Sequence, residues 1–328
     1  MPEAGSYCVH VMSRVVNRDF VLGAAEKEAF RTLMRKLEGF TGLEILTYAI
    51  LDNHFHILLH VPKREALSDE EIFTRLGFIH DRFEVAEIRE RFERFKRFRH
   101  DGAYRAEREK ILGRMYDLGE FMKALKQRFT RWFNKKHQRK GTLWEARYKS
   151  VLVEGRGNPL RAMAAYIDLN AVRAGICADP EAYRWCGYGE AVGGEKRARD
   201  GLRRIADLSG NSTDWRMVRR MYRKWLYVEG EASGSDENGQ ALKPGFFREK
   251  VVQVWAEDGE LPLNQLLLCR VRYFSDGLAI GGKDFMEAFF TSFANRFGEN
   301  RRKKGARMRG EGFDGLYSFR DLQLDVVG

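Results

Sequence analysis

Two histidines separated by one phenylalanine, His54-Phe55-His56, are the feature that most constrains how this chain can fold. They lie in the apolar run 51–59, which is typical of a β-strand. Successive side chains of a strand point to opposite faces, so both imidazoles project from one face while Phe55 enters the core on the other. Two imidazoles on one face can bind one divalent cation. The run therefore predicts a metal site on a strand.

The residues around this run alternate between strand and helix patterns. β-Branched residues predict a strand over residues 7–16, and an apolar stripe at helical spacing predicts a helix over 24–37. Residues 43–61 predict two strands, broken at the turn-forming pair Asp52 and Asn53. The order to this point is strand, helix, strand, strand.

The next segments predict more helices and one more strand. Residues 64–115 are charged and favour helical hairpins inserted into the core fold, and 120–136 favour a basic amphipathic helix. Residues 142–154 favour a strand. Together with the helix described next, this order indicates an α+β fold, a ferredoxin-like (RRM-like) antiparallel sheet with helices on its faces, rather than a doubly wound parallel sheet.

A well-marked helix is predicted over 158–175. Asn158 suits its N-cap, Pro159 its first turn and Gly175 its end. Tyr166 and Asn170 are four residues apart and therefore share one helix face. The phenol is a potential nucleophile and the amide oxygen a potential metal ligand. Asn170 could instead bond its own helix backbone.

The character of the sequence changes after residue 193, and three ranges are expected. Residues 1–195 would form the domain that carries the site, and 196–245 a helix and a linker. Residues 246–328 would form a helical extension with a basic tail, which could bind DNA. Gly281-Gly282 could be the turn of a helix-turn-helix, and a plain helical buttress fits equally well.

Four stretches carry a resemblance to a known family. They are His10-Val-Met-Ser-Arg14, Asn53-His-Phe-His-Ile57, Gly141-Thr-Leu-Trp-Glu-Ala-Arg-Tyr-Lys-Ser150 and Tyr166-Ile-Asp-Leu-Asn-Ala-Val-Arg-Ala-Gly175. In these stretches the chain resembles the HUH single-tyrosine transposases, specifically the REP-associated tyrosine transposase branch. The resemblance covers most of residues 7–190, and the insertion at 64–115 matches poorly.

The resemblance implies a specific chemistry. His54, His56 and Asn170 would bind Mg²⁺ or Mn²⁺, and Tyr166 would attack a phosphate of single-stranded DNA, leaving a 5′-phosphotyrosine and a free 3′-hydroxyl. Substrates in the family are hairpin-forming palindromic repeats with a flanking tetranucleotide. Ala171 stands where many relatives have proline, which bears on helix geometry. Imidazole ligands alone favour Mn²⁺ over Mg²⁺.

Two other functions stay open: a domesticated hairpin-binding protein without catalysis, and a metal-dependent phosphodiesterase that uses water. Tyr148 is a rival nucleophile, and His60 is interpreted as structural. Tyr166 could serve its own subunit or a partner, and the protein could be a monomer or a homodimer.

The net charge of +11 favours a nucleic-acid partner. The candidate phosphate contacts are basic residues near the site or in the tail: Arg14, Lys126, Arg131, Arg147, Lys149, Arg173, Arg301, Arg302, Lys303 and Lys304. The four cysteines form no C-x-x-C pair, and no signal peptide or membrane span is evident. A cytoplasmic protein is therefore expected.

Overall fold

The computed structural model describes residues 5–206, 214–229, 233–235, 241–243, 272–294, 305–308 and 315–320. In these ranges no helix is long and apolar enough to cross a membrane. The architecture is mixed α+β, as expected, with a seven-stranded and mostly antiparallel sheet that has helices on both faces.

The strands are β1 (Tyr7–Arg14), β2 (Glu44–Ile50), β3 (His54–Val61), β4 (Lys149–Val153), β5 (Ser233–Ser235), β6 (Ala241–Lys243), β7 (Gly277–Gly281), β8 (Ala306–Arg307) and β9 (Tyr317–Arg320). The helices are α1 (Ala24–Thr41), α2 (Asp69–Leu76), α3 (Arg82–Arg97), α4 (Asp101–Leu112), α5 (Leu118–Lys136), α6 (Gly157–Asp168), α7 (Asn170–Arg173), α8 (Gly187–Val192), α9 (Lys196–Ile205), α10 (Trp215–Glu229), α11 (Arg272–Ser275) and α12 (Lys283–Ser292).

The large sheet has the strand order β2-β3-β1-β4-β7-β9-β8, and β5 pairs only with β6. Neighbouring strands are antiparallel except β4 and β7, which are parallel. The register between β1 and β3 places Met12 opposite His56 and His10 opposite Leu58. Because side chains alternate along each strand, His10, His54 and His56 share one face of the sheet.

A separate hydrophobic core packs against each face of the sheet. One core contains Val9, Val11 and Phe55 packed against α1 and α5. The other contains Cys8 and Leu58 packed against α6, and it continues onto α8, α9 and α10. The histidine face is therefore the α6 face, and the Phe55 face is the face of α1 and α5.

Three helices, α2, α3 and α4, lie in the range where the sequence predicts a helical insertion. Two of these helices begin with a capping box, Ser68 with Glu71 and Asp81 with Glu84, in which side chain and backbone hydrogen-bond reciprocally. The three helices enclose a small core of their own around the fully buried Phe92. The insertion thus folds against α1 without contributing to the histidine face.

Two boundaries predicted around the site are wrong. Only β4 forms in the range 142–154 where a longer strand was expected. Before β4, Trp144 makes a single bridge with Val15, and Lys126 donates to the carbonyl of Ala146. The helix expected over 158–175 begins at Gly157, with φ of 64°, and is interrupted at Leu169.

The C-terminal helical extension is also corrected. Between the short helix α11 and α12 lies a strand, β7, that pairs in parallel with β4, so Gly281-Gly282 joins a strand to a helix and is no helix-turn-helix. Strands β8 and β9 extend the same sheet. The range interpreted as a linker includes the paired strands β5 and β6. Most of the basic tail and much of the range 246–297 lie outside the described residues.

Close packing of α9 on β2 gives a first prediction. A Cβ added at Gly201 would lie 2.4 Å from the carbonyl oxygen of Leu46 and 2.8 Å from that of Ile45. We expect Gly201→Ala to lower the free energy of unfolding by about 1–3 kcal/mol through overpacking. Gly102→Ala is the control, because nothing lies within 4 Å of that added Cβ and a gain of about 0.4–1 kcal/mol is expected. Urea unfolding of both variants measures the difference, and equal effects would contradict the packing.

Candidate metal and nucleophile site

The paired imidazoles lie where the alternation predicted them. His54 and His56 begin β3 on the α6 face, and Phe55 is fully buried on the other face beside Phe30 and Trp144. The ring centres of His54 and His56 are 5.1 Å apart, and the rings are nearly perpendicular at 79°. His54 is partly exposed, whereas His56 is only 2% exposed.

Helix α6 brings Tyr166 against these imidazoles. The phenol ring meets His56 edge to face with ring centres 5.7 Å apart. The helix is fixed on the sheet by the buried carboxylate of Asp168, which accepts hydrogen bonds from the hydroxyls of Thr47 on β2 and Tyr222 on α10 and from the backbone N–H of Tyr188. The structure therefore brings together the strand and the helix that the sequence analysis paired.

Asn170 lies at the start of α7, one residue past the interruption at Leu169. Its Nδ2 donates to the backbone carbonyl of Tyr166 at 2.8 Å, so the backbone-bonding role left open from the sequence is the one observed. The amide nitrogen is used in this bond, and its oxygen stays available as a ligand. Tyr166 and Asn170 therefore stay in contact across the break in the helix.

A third histidine, His10 on β1, was given no role by the sequence. Its Nε2 lies 2.9 Å from His56 Nδ1, and its own Nδ1 lies 3.0 Å from the backbone carbonyl oxygen of Phe274. The alternation of β1 could have placed His10 on the site face once its register with β3 was known. Phe274 is 264 residues away in sequence, and no local pattern points to it.

Burial sets the charge of these groups. It lowers the pKa of His54 to about 4, with the Arg14 guanidinium adding to the effect, and it lowers the pKa of His10 to about 4. The pKa of His56 is lowered well below its usual value by burial and then by His10. The three imidazoles are therefore neutral at pH 7, the form in which imidazole binds metals.

The electrostatics at Tyr166 combine opposing effects. Burial raises the pKa of the phenol, while the positive charge of Arg173 and a hydrogen bond from the Asn170 side chain act to lower it. The Arg173 guanidinium lies over the phenol ring, 5.1 Å from its centre. The ring of Phe274 stacks on the phenol ring with its centre 4.8 Å away, and Tyr166 is only 1% exposed.

The residues present fit a divalent cation. A metal-bound nitrogen lies about 2.1 Å from the ion, which places two perpendicular imidazole centres about 5 Å apart, close to the observed separation of His54 and His56. Over the described part of the chain, no group of three or more His, Cys, Asp and Glu side chains forms a metal site. The candidate set is two imidazoles completed by an amide oxygen, a neutral set suited to Mn²⁺ before Mg²⁺.

The rivals named from the sequence lie elsewhere. Tyr148 packs with the core on the α1 and α5 face, away from the imidazoles. His60 lies near the far end of β3. Its Nδ1 is 3.1 Å from Glu44 Oε2 and its Nε2 accepts a hydrogen bond from Arg204, as expected of a structural residue. Tyr166 is the tyrosine that the fold places beside the histidine pair.

The candidate phosphate contacts divide into three sets. Arg14, opposite His54 on the neighbouring strand, and Arg173 lie at the site. Arg147 and Lys149 are exposed near β4, and Lys149 pairs with Asp276 at 3.4 Å. The remaining candidates are either on α5, on the opposite face of the sheet, or outside the described residues: Lys126, Arg131, Arg301, Arg302, Lys303 and Lys304.

Comparison with known proteins adds a structural similarity. The sequence matches no protein-family model and no curated protein. Among solved structures, the chain is similar to a REP-associated tyrosine transposase bound to a REP hairpin, with a TM-score of 0.37 and 14% sequence identity over 63% of this chain and 88% of that chain. This is a distant structural similarity, and at this TM-score it assigns neither a fold nor a function.

The anchor of α6 predicts a pH effect on stability. Burial raises the pKa of Asp168 from 3.8 to about 6 in the folded chain. Between these values the folded state holds a proton that the unfolded state has released, so the contribution of Asp168 to stability falls as pH rises, by about 3 kcal/mol in total. In Asp168→Asn this component is absent.

Urea unfolding from pH 4 to pH 7 measures the effect. The free energy of unfolding of the unsubstituted chain should fall relative to that of Asp168→Asn by about 2 kcal/mol over this range, because part of the total is already lost below pH 4. Asp101→Asn, at an exposed helix start, is the control and should run parallel to the unsubstituted chain. Parallel curves for Asp168→Asn would show that the carboxyl is ionised normally.

Proposed function

We propose that this chain is a metal-dependent single-stranded DNA endonuclease and strand transferase that acts on hairpin-forming repeat DNA through a 5′-phosphotyrosine. The observation that carries the proposal is the position of the Tyr166 ring, 5.7 Å from His56 and beside a pair of neutral imidazoles. A protein that only binds DNA needs neither the buried phenol nor the imidazole pair. The resemblance of four sequence stretches to HUH transposases supports the same chemistry.

The metal would be held by His54, His56 and the Asn170 oxygen. When bound there, a divalent cation supplies charge neutralisation at a phosphate oxygen and makes phosphorus more electrophilic. Arg173 and Arg14 supply positive charge beside Tyr166 and His54, which favours the approach of a phosphodiester. Lys149, opposite Met12 at the start of β4, adds positive charge on the same face of the sheet as His56.

The covalent step follows from where the phenol lies. Tyr166 Oη forms the new bond to phosphorus, the bond from phosphorus to the 3′-oxygen breaks, and the phenol proton is balanced by protonation of the released 3′-oxygen. Arg173 and Asn170 act on the phenol in the direction that eases loss of its proton. Attack by another strand's 3′-hydroxyl reverses the step and joins DNA.

Access to Tyr166 requires a local movement. A phosphate cannot reach a side chain that is 1% exposed, so a neighbouring side chain has to move when DNA binds, and we propose that it is the stacked ring of Phe274. Because the phenol already lies against the imidazoles of its own chain, we propose that the tyrosine acts in cis. This arrangement needs no second subunit to complete the site.

The finer fold assignment belongs to the same proposal. The order β4-β1-β3-β2, all antiparallel, with α1 and α5 on one face, supports a ferredoxin-like core. Helix α6 covers the opposite face and carries the nucleophile. Unpaired thiols at Cys8, Cys177 and Cys186 support function in a reducing compartment such as the cytoplasm.

Covalent attachment tests the nucleophile. Incubation with Mn²⁺ and a labelled single strand that carries a hairpin should give an adduct stable to SDS, and Tyr166→Phe should abolish it because no hydroxyl remains. Tyr148→Phe is the matched control and should retain the adduct, since Tyr148 faces the other core. Retention of the adduct by Tyr166→Phe would rule out this nucleophile. Cleavage without any adduct would indicate the water-using phosphodiesterase.

Metal binding tests the imidazole pair. We expect His54→Ala to weaken Mn²⁺ binding more than ~100-fold in a calorimetric titration, because loss of a ligand costs more than loss of a ligand's hydrogen-bond partner. His80→Ala, on the helical insertion, is the control and should bind as the unsubstituted chain does. Chelator should stop cleavage, and undiminished cleavage with chelator would exclude the metal.

A further inference from the structure

A chain of hydrogen bonds runs from the C-terminal part of the molecule to the proposed metal ligand. The backbone carbonyl of Phe274 meets His10 Nδ1 at 3.0 Å, and His10 Nε2 meets His56 Nδ1 at 2.9 Å. Both imidazoles are buried, at 0% exposure for His10 and 2% for His56. Three of the four ring nitrogens, His10 Nδ1, His10 Nε2 and His56 Nδ1, have a defined partner, so the positions of the protons can be deduced.

The carbonyl oxygen of Phe274 can only accept a hydrogen bond. The proton of His10 must therefore be on Nδ1, where it is donated to the oxygen of Phe274. A buried imidazole remains neutral because the charged form loses its hydration, so His10 Nε2 carries a lone pair. That lone pair accepts from His56 Nδ1–H. In consequence the lone pair of His56 lies on its Nε2. We call this hydrogen-bond chain, from the Phe274 carbonyl through His10 to His56, the relay.

We propose that His10 is a positioning residue that holds His56 in the tautomer whose Nε2 is free to bind the metal, under the control of the Phe274 carbonyl. This inference rests on the proposed function for its consequence, the binding of a metal, but the proton positions stand on hydrogen bonds alone. His10 does not touch DNA or metal. It acts through His56, as partners of metal-bound histidines do.

His54 reaches the same tautomer through a separate anchor. Asn53 donates its Nδ2 to the carbonyl of Arg18, so its Oδ1 is the atom 2.6 Å from His54 Nδ1 and must accept the imidazole proton. His54 Nε2 is then unprotonated as well. Two independent hydrogen-bond chains thus leave both imidazoles with Nε2 lone pairs before any metal arrives.

The relay ties the site to a distant segment. Phe274 belongs to α11, directly before β7, which pairs with β4 beside β1. Docking of α11 and β7 on the sheet therefore helps prepare His56.

Two substitutions separate hydrogen bonding from size. In His10→Gln the amide oxygen can accept from His56 Nδ1–H and the amide nitrogen can donate to Phe274, which preserves the relay. In His10→Phe the ring fills the space and makes neither bond. The tautomer of His56 is read from long-range ¹H–¹⁵N correlation spectra of the full, metal-free chain, assigned by comparison with His56→Gln.

We expect unprotonated Nε2 at His56 in the unsubstituted chain and in His10→Gln, and a loss of this preference in His10→Phe. Mn²⁺ affinity should fall about 10–100-fold in His10→Phe and recover in His10→Gln. A proton on His56 Nε2 in the unsubstituted chain overturns the proposal. So does His10→Phe with unchanged tautomer and affinity, or loss of the tautomer in a folded His10→Gln.

The outcome is distinguishable from failure of the proposed function. If the unsubstituted chain bound no Mn²⁺ but showed the expected tautomer, the metal-dependent function would fall and the proton relay would stand. If His10→Phe failed to fold, the spectra of the unsubstituted chain and of His10→Gln would still decide. Thermal unfolding of each variant identifies that case.

Discussion

The antiparallel register between β1 and β3 is the constraint on which the site depends. It places alternate residues of both strands on one face, so that His10, His54 and His56 leave the sheet together. A shift of the register by one residue would send the imidazoles into the core of α1 and α5 and bring Phe55 to the phenol. The burial of Phe55 between Phe30 and Trp144 holds the register in place.

The second constraint is the fixation of α6 from beneath. Asp168 is two residues from Tyr166. Its carboxylate accepts hydrogen bonds from side chains of β2 and α10 and from a backbone N–H in the first turn of α8. A helix held at one point by several hydrogen bonds keeps a side chain two residues away within a narrow range of positions. The charged anchor costs stability at neutral pH, and it positions the phenol in return.

How much of this was predictable differs from residue to residue. The alternation around Phe55 predicted the face of both histidines, and Asp52 and Asn53 predicted the turn before them, because both signals are local. The helix with Tyr166 and Asn170 was predicted from spacing, although its break at Leu169 was not. Strand β7 was missed because a short run rich in glycine pairs only when the distant strand β4 is present. The roles of His10 and Phe274 depend on tertiary register and lie beyond local patterns.

The parallel pairing of β4 with β7 has a practical consequence for anyone who wishes to excise the first 195 residues. Such a fragment would retain Tyr166 and the three histidines of the site. However, β4 would become an open edge with unpaired backbone groups, which is a template for self-association. Edges of this kind invite aggregation and proteolysis when they are flat and apolar, and Val151 and Val153 supply apolar side chains here. Strand β7, from the late part of the chain, thus protects the edge of a sheet whose candidate site residues lie in its early part.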